Sequence, residues 1–463
     1  MKRQHKFHIH NSTVLLLAVA VVALINFVTH RHYKKWDLSQ AKQFSLSDQT
    51  KTLLSKLDKK IQLIGFFDKT TEATFDDLVD KYTYESKYIE KRLADLDVDI
   101  GLAEQHDIRQ KNVIVVVGPQ KTVKITDFTE EDLTNALTKV TQAQQKKLYF
   151  VSGHFEKSLK DDQREGLSQL KQELENTGYT IEELSLIQKS LVPVDCSVLV
   201  IAGAQKDFFP KEKELIEAYV NKGGHLFYLL DPKAPLALKK LLDDWKVKVH
   251  DNLIVDPTSQ LFLPDPRIVV ALNYSEHEIV KKLSEKKVYT LFPWTRSFES
   301  LGDSSSQVSF QHLTQTTDQA WGETSYNDKK FKFDAGKDLK GPLTVAAALT
   351  KKILKSNDAK ESTPSHSELK DEESITKIVL FGSSGIVSND ALYAQGNRDL
   401  VLNTISWLAG DIEQVSIRPN KAGLYTLQMS KNQAATVGLL LVVLMPLGIL
   451  VFGILFWIIR RKK

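Results

Sequence analysis

SVLVIAGAQKDFFPKEKELIEAYVNKGGHLFYLLDP, residues 197–232, decides the fold. SVLVI (197–201) and LFYLL (226–230) are near-continuous apolar runs, as expected of strands covered on both faces, and Asp231-Pro232 closes the second. Between them the spacing predicts a helix over 210–222. It starts at Pro210, carries Leu215, Ile216, Tyr219 and Val220 on one stripe, and stops at Gly223-Gly224. Such a strand–helix–strand unit implies a parallel pair with a right-handed crossover. Upstream, LYFV (148–151) and a helix over 161–177, with Leu167, Leu170 and Leu174 and ended by Gly178, repeat the pattern. Downstream, IVLFG (378–382) and a helix over 397–409 return to the same sheet, after a mixed and partly β-rich stretch at 260–350. Residues 354–375 are polar and charged with almost no apolar content, and read as a disordered insertion.

Outward from this unit lies a smaller α/β region. Ser47 is a helix N-cap ahead of Leu53, Leu54 and Leu57, and IQLIGFF (61–67) is a buried strand. A helix over 75–95 follows, with Leu78, Val79, Tyr82, Ile89 and Leu93 apolar; then come strands at 113–117 and 123–125 and a helix over 130–144. This order is thioredoxin-like, although a thioredoxin activity is excluded because no cysteine lies there. The expected fold class is therefore α/β, in two tandem outward-facing domains. The smaller, thioredoxin-like one covers 31–145; the larger, built on a parallel sheet of the glutamine-amidotransferase type, covers 146–430.

Two transmembrane helices are expected to flank them. Residues 14–28 form a 15-residue apolar run marred by Asn26, and residues 434–459 form a 26-residue run without a charge. A bilayer core of about 30 Å takes roughly 20 helical residues, so the second run spans it. The first continues into His30-Arg31-His32-Tyr33-Lys34-Lys35-Trp36 with no small-residue cleavage site, and reads as an uncleaved signal anchor in preference to a signal peptide. Residues 1–30 are then a cytoplasmic tip and anchor, and 431–463 a span with a basic cytoplasmic tail. Arg460, Arg461, Lys462 and Lys463 place that tail inside by the positive-inside rule, so the region between the spans is extracytoplasmic, at a bacterial inner membrane.

Charge sharpens this picture. The chain has 62 basic and 58 acidic side chains, but six of the basic ones lie in the first 35 residues and four at the last four positions, leaving 52 against 58 between. The body is mildly acidic, which argues against nucleic acid. One cysteine, Cys196, excludes an intramolecular disulfide, a Cys-cluster zinc site and an all-Cys iron–sulfur site.

The order of signatures resembles the gliding-motility-type auxiliary component of ABC transporters, the GldG-like family. It is carried by Trp36-Asp37-Leu38 with Phe44-Ser45-Leu46-Ser47, by Gly153-His154-Phe155-Glu156, and by Tyr219-Val220 with Gly223-Gly224-His225 running into Leu229-Leu230-Asp231-Pro232. Further on stand Pro293-Trp294-Thr295-Arg296-Ser297, Phe381-Gly382, Gly396-Asn397-Arg398-Asp399, Asn403 and Trp407-Leu408-Ala409-Gly410. The family usually has Gly-His-Gly-Glu where Phe155 stands, and an Asp where Ser383 stands. The resemblance implies an ABC permease and a separate ABC ATPase as partners.

In an open parallel sheet, ligands sit beyond the carboxyl ends of the strands. His154 and Glu156 follow one strand end, Asp231 another, and Ser383, Ser384 and Asn389 a third. Converging on one crevice, they would make His154 an acid/base, Glu156 its orienter and Asp231 an acceptor. The bland reading has His154 and Glu156 capping a helix, Asp231 forming an Asx turn before Pro232, and Gly382 permitting a tight turn. Asn397, Arg398 and Asp399 read as capping and an internal ion pair.

Catalytic signatures are missing. Gly382-Ser383-Ser384-Gly385-Ile386 lacks the second glycine of a nucleophile elbow, and Cys196 precedes its strand, the wrong end for a nucleophile. His277-Glu278 has Lys281 where a zinc helix needs its second His, and no P-loop occurs, so the chain is not itself an ATPase. No cofactor and no metal is expected. The reading that follows is a non-catalytic auxiliary subunit binding a substrate or envelope component; a membrane-tethered envelope hydrolase and a structural scaffold are the alternatives.

Overall fold

The computed structural model describes residues 45–68, 70–119, 121–141, 145–302, 307–325, 331–354 and 373–411. Both apolar runs lie outside them, as does most of 354–375. No helix among the described residues is long and apolar enough to cross a membrane. The molecule is mixed α/β.

Helix α1 (Asp48–Ser55) starts where the Ser47 hydroxyl accepts the Thr50 amide at 3.3 Å. It leads into β1 (Ile61–Phe66), α2 (Glu72–Glu85), β2 (Ile89–Ala94), β3 (Val113–Val117), β4 (Thr122–Ile125) and α3 (Glu130–Thr141). The four strands form one sheet in the order β2-β1-β3-β4, with β1 and β2 parallel and β3 antiparallel to both β1 and β4. The helix expected over 75–95 is two elements. Ser86 turns extended, with φ −144° and ψ 126°, so Ile89 and Leu93 belong to an edge strand and Leu93 is exposed.

A larger sheet begins with β5 (Lys147–Val151), α4 (Ser168–Asn176), β6 (Thr180–Leu184), β7 (Cys196–Ala202), α5 (Pro210–Asn221) and β8 (Leu226–Leu229). After α6 (Glu278–Glu285) come β9 (Val308–Gln315), β10 (Thr344–Leu354), β11 (Glu373–Phe381) and α7 (Asn397–Leu408). The core order is β9-β10-β11-β8-β7-β5-β6; β6, β5, β7, β8 and β11 are parallel, and β10 and β9 add antiparallel strands. Strands β10 and β11 pair as far as Leu354 and Glu373, so the polar insertion joins the ends of a long hairpin. Residues 161–167, expected in a helix, are turns, and α4 starts only at Ser168. Asn389 holds them: its amide nitrogen donates to the Asp161 and Gln163 carbonyls at 3.0 and 2.7 Å.

The central parts of β5, β7, β8 and β11 are apolar because both faces are covered, whereas the edge strand β6, TIEEL, is not. Leu148, Phe150, Val198, Val200, Phe227, Val379 and Phe381 pack with Leu170 and Leu174 of α4 and Leu400, Val401 and Ile405 of α7. The alternate residues Tyr149, Val151, Leu199, Ile201, Leu226, Tyr228, Ile378 and Leu380 pack with Ile216 and Val220 of α5 and with Leu241, Leu242 and Trp245. Each fully buried aliphatic side chain contributes roughly 1.5–3 kcal/mol, so neither layer of helices is dispensable. The strand sequence 2-1-3-4-5 reverses direction between β5 and β7, the switch point where the loops of such a sheet part to form a crevice.

Candidate functional site at the carboxyl ends of the parallel strands

The loop after β5 enters the switch point through Gly153, at φ +132°, which only glycine adopts freely. His154 follows and is buried. Its carbonyl accepts the Gln205 and Lys206 amides at 2.9 and 3.2 Å, so the loops after β5 and β7 are sewn together through it. Its own amide donates to Glu156 Oε2 at 2.7 Å. The imidazole stands between two carboxylates: Nε2 is 3.0 Å from Glu212 Oε2, and Nδ1 is 3.7 Å from Glu156 Oε1. The Phe208 ring meets it edge-on at 4.6 Å and Phe209 at 5.9 Å.

These three polar side chains are only 4%, 3% and 3% exposed. Neither ring nitrogen is aimed along a proper hydrogen bond. Both nitrogens, Glu156 Oε1 and Glu212 Oε1 lack hydrogen-bond partners among the described residues. Glu212 was not singled out in the sequence. Its position was readable, because Pro210 opens α5 and a glutamate two residues later can turn back to the N-cap; Glu212 Oε2 accepts the Phe209 amide at 3.0 Å.

A second knot lies beside the first. Asp231, after β8, accepts the amide and hydroxyl of Ser384, at 2.6 and 2.7 Å, and the Gln205 side-chain amide at 3.2 Å. Gly203, at φ +71°, makes room, since a Cβ there would lie 2.4 Å from the Ser384 hydroxyl. The Asp231 carbonyl also accepts from Arg296, whose buried guanidinium donates to the His250 and Ala234 carbonyls as well.

His154 and Glu156 thus come together, as do Asp231 and Ser384, with Gln205 touching both pairs. Ser383 turns away and donates to the Pro293 carbonyl. Asn389 is spent on the 161–169 loop, where its side-chain carbonyl also accepts the Gln169 amide at 3.0 Å. Glu156 accepts its neighbour's amide, and Asp231 binds across to Ser384. Gly382 serves close approach: a Cβ would lie 2.1 Å from the Arg296 carbonyl oxygen.

The other sequence candidates have structural partners. Arg398 pairs with Glu131 of α3 and, at 2.6 Å, with Glu173 of α4. His277 caps α6 by accepting the Ile279 amide at 3.2 Å, and burial pushes its imidazole down to about 4. Burial pushes the Cys196 thiol up to about 11, away from nucleophile chemistry.

Residues 145–404, which contain the entire parallel sheet and every strand-end loop named above, match the family described as ABC-type uncharacterized transport system. The chain belongs to this family of ABC transport auxiliary proteins. No curated protein matches it in sequence. Among solved structures, the mmIFT52 N-terminal domain matches at 14% identity over 57% of this chain and 97% of that one, with a TM-score of 0.40. Exo-beta-1,4-mannosidase Op5Man5 from Opitutaceae bacterium strain TAV5 matches at 8% identity over 75% and 50%, with a TM-score of 0.27.

Family membership gives the strand-end loops a context in transport. Phe155 stands at φ +61°, the left-handed region that glycine enters without cost. The Phe155 ring turns outward, 68% exposed, with the Lys206 ammonium 4.7 Å above it.

Proposed function

We propose that this chain is a non-catalytic, membrane-anchored auxiliary subunit of an ABC transporter, with the strand-end rim presented outside the cytoplasmic membrane to a substrate or envelope partner. A separate ABC ATPase and a permease complete the assembly. Two flanking apolar runs cannot enclose a pathway for a solute, and the chain has no P-loop, so energy and channel come from other subunits.

The observation that carries the non-catalytic part is how the polar groups at the rim pair off. A hydroxyl nucleophile needs a base within hydrogen-bond reach. A nucleophile must also be open to substrate: Ser383 donates to the Pro293 carbonyl, Ser384 donates to Asp231, and both serines are fully buried, while His154 is flanked by Glu156 and Glu212. The knots hold the loops in place and leave Phe155 and Phe209 outward, an arrangement suited to binding.

Complementation with His154→Ala and Glu156→Ala tests it. Part of the function should survive in both, because a binding surface spreads its energy over many contacts. A complex that assembles normally but is dead in both variants would establish a hydrolase, since losing a general acid/base costs about 10²–10⁴-fold.

A further inference from the structure

The buried cluster at the switch point does not balance its charge. Glu156 and Glu212 bring two carboxylates, and His154 offers at most one positive charge. No Lys or Arg stands within ion-pair distance of either glutamate among the described residues. Lys157 pairs with Glu165 at 2.5 Å, and Lys213 with Asp207 at 2.8 Å. A buried carboxylate in surplus is costly unless a cation approaches it.

Around these acids the side chains are aromatic. Phe208 and Phe209 meet the His154 ring, and Phe155 and Phe209 are 68% and 60% exposed at the rim. Aromatic faces attract cations, the more so where the surroundings are desolvated. One ammonium already uses this surface: Lys206 Nζ, on the Phe155 ring. Lys206 reaches it from the same loop whose amides bind the His154 carbonyl.

We propose that the loops 153–156 and 205–212 form a site for an organic ammonium group, seated on the exposed Phe155 ring in place of the Lys206 ammonium and drawn by the surplus negative charge of Glu156 and Glu212. The proposal rests on reading this rim as a binding surface and names the ligand class it takes. Either a free amine or a lysine side chain of a partner protein supplies that chemistry.

Thermal shift and titration calorimetry on the full-length chain decide the matter. The probes are ethanolamine, a blocked Ala-Lys-Ala peptide, and ethylene glycol as the neutral counterpart of ethanolamine, all at constant ionic strength. The two ammonium probes should raise the melting temperature and ethylene glycol should not; tighter binding of the peptide assigns the source to a protein lysine, and tighter binding of ethanolamine to a free amine. Phe155→Ala should weaken binding about two- to fivefold, the loss expected for an exposed cation–ring contact, and Glu212→Gln should weaken it by removing one of the two carboxylates that attract the cation. Glu212→Gln without a probe should melt at or above the parent, because it removes the surplus charge, whereas a purely structural glutamate would give a lower melting temperature. Absence of a shift with both ammonium probes, or undiminished binding by Glu212→Gln, would overturn the site. Failure here with partner subunits still co-purifying removes only the ligand class; loss of the partners with probe binding intact removes only the auxiliary-subunit reading.

Discussion

Asp231 holds both the backbone amide and the hydroxyl of Ser384, a residue 153 positions further along the chain, at 2.6 and 2.7 Å. The contact ties the carboxyl end of β8 to that of β11, and Gly203 at the end of β7 lies against it. Three neighbouring strand ends therefore share one knot.

Gly203→Ala should break that knot. The left-handed backbone alone costs about 1–3 kcal/mol for a residue with a side chain, and the new methyl must also displace the Ser384 hydroxyl. Gly336→Ala is the control: it has φ +89° but nothing within 4 Å of the added carbon, so it should show the strain alone. Equal losses in denaturant titrations of the two variants would mean that the Asp231–Ser384 contact adds nothing.

Phe155→Gly should stabilise the chain by up to about 1 kcal/mol, since it relieves a left-handed phenylalanine whose ring is largely in solvent. Chemical denaturation measures it. A loss of stability would show that the ring packs more than its exposure indicates.

The parallel sheet was legible because of what buries it. Strand segments covered on both faces need apolar residues at every position, and 148–151, 198–202, 226–229 and 378–381 stand out as uninterrupted runs within β5, β7, β8 and β11. The edge strand β2 has no such need. Its middle four residues are exposed, and Ile89 and Leu93 extended the helical spacing of Leu78, Val79 and Tyr82 by coincidence. At the site, His154, Glu156, Asp231 and Ser384 were readable as residues following strand ends. The capping place of Glu212 was readable, but its burial and that of Arg296 were not, because the sequence does not tell a buried charge from a solvated one; Arg296 is 1% exposed and binds the carbonyls of three loop residues.

Arg398→Met should cost about 3–5 kcal/mol, because it leaves Glu131 and Glu173 as buried carboxylates without their shared cation. Adding Glu131→Gln and Glu173→Gln should recover most of the loss, as measured by urea unfolding. No recovery would place the effect of Arg398 in its packing.

Stability should fall in acid through two histidines. His225 accepts the Lys377 amide at 3.2 Å, His277 accepts the Ile279 amide, and burial brings both imidazoles down from 6.5 to about 4. The unfolded chain therefore binds more protons between these limits. Their contribution is complete above about pH 6.5 and is lost as the pH falls toward 4, at no more than about 1.4 kcal/mol per pH unit for each. His277→Asn keeps an N-cap acceptor that does not titrate, so it should flatten the slope of stability against pH in this window. An unchanged slope would remove His277 from the account.

As proposed above, this chain works only as part of an ABC transport assembly. Quantitative mass spectrometry of the tagged full-length chain, purified from its native membranes in mild detergent, tests it most directly. An ABC ATPase and a multi-span permease should be recovered in fixed ratio to the tagged chain, and His154→Ala should leave that ratio unchanged. A chain that purifies without either subunit would contradict the claim.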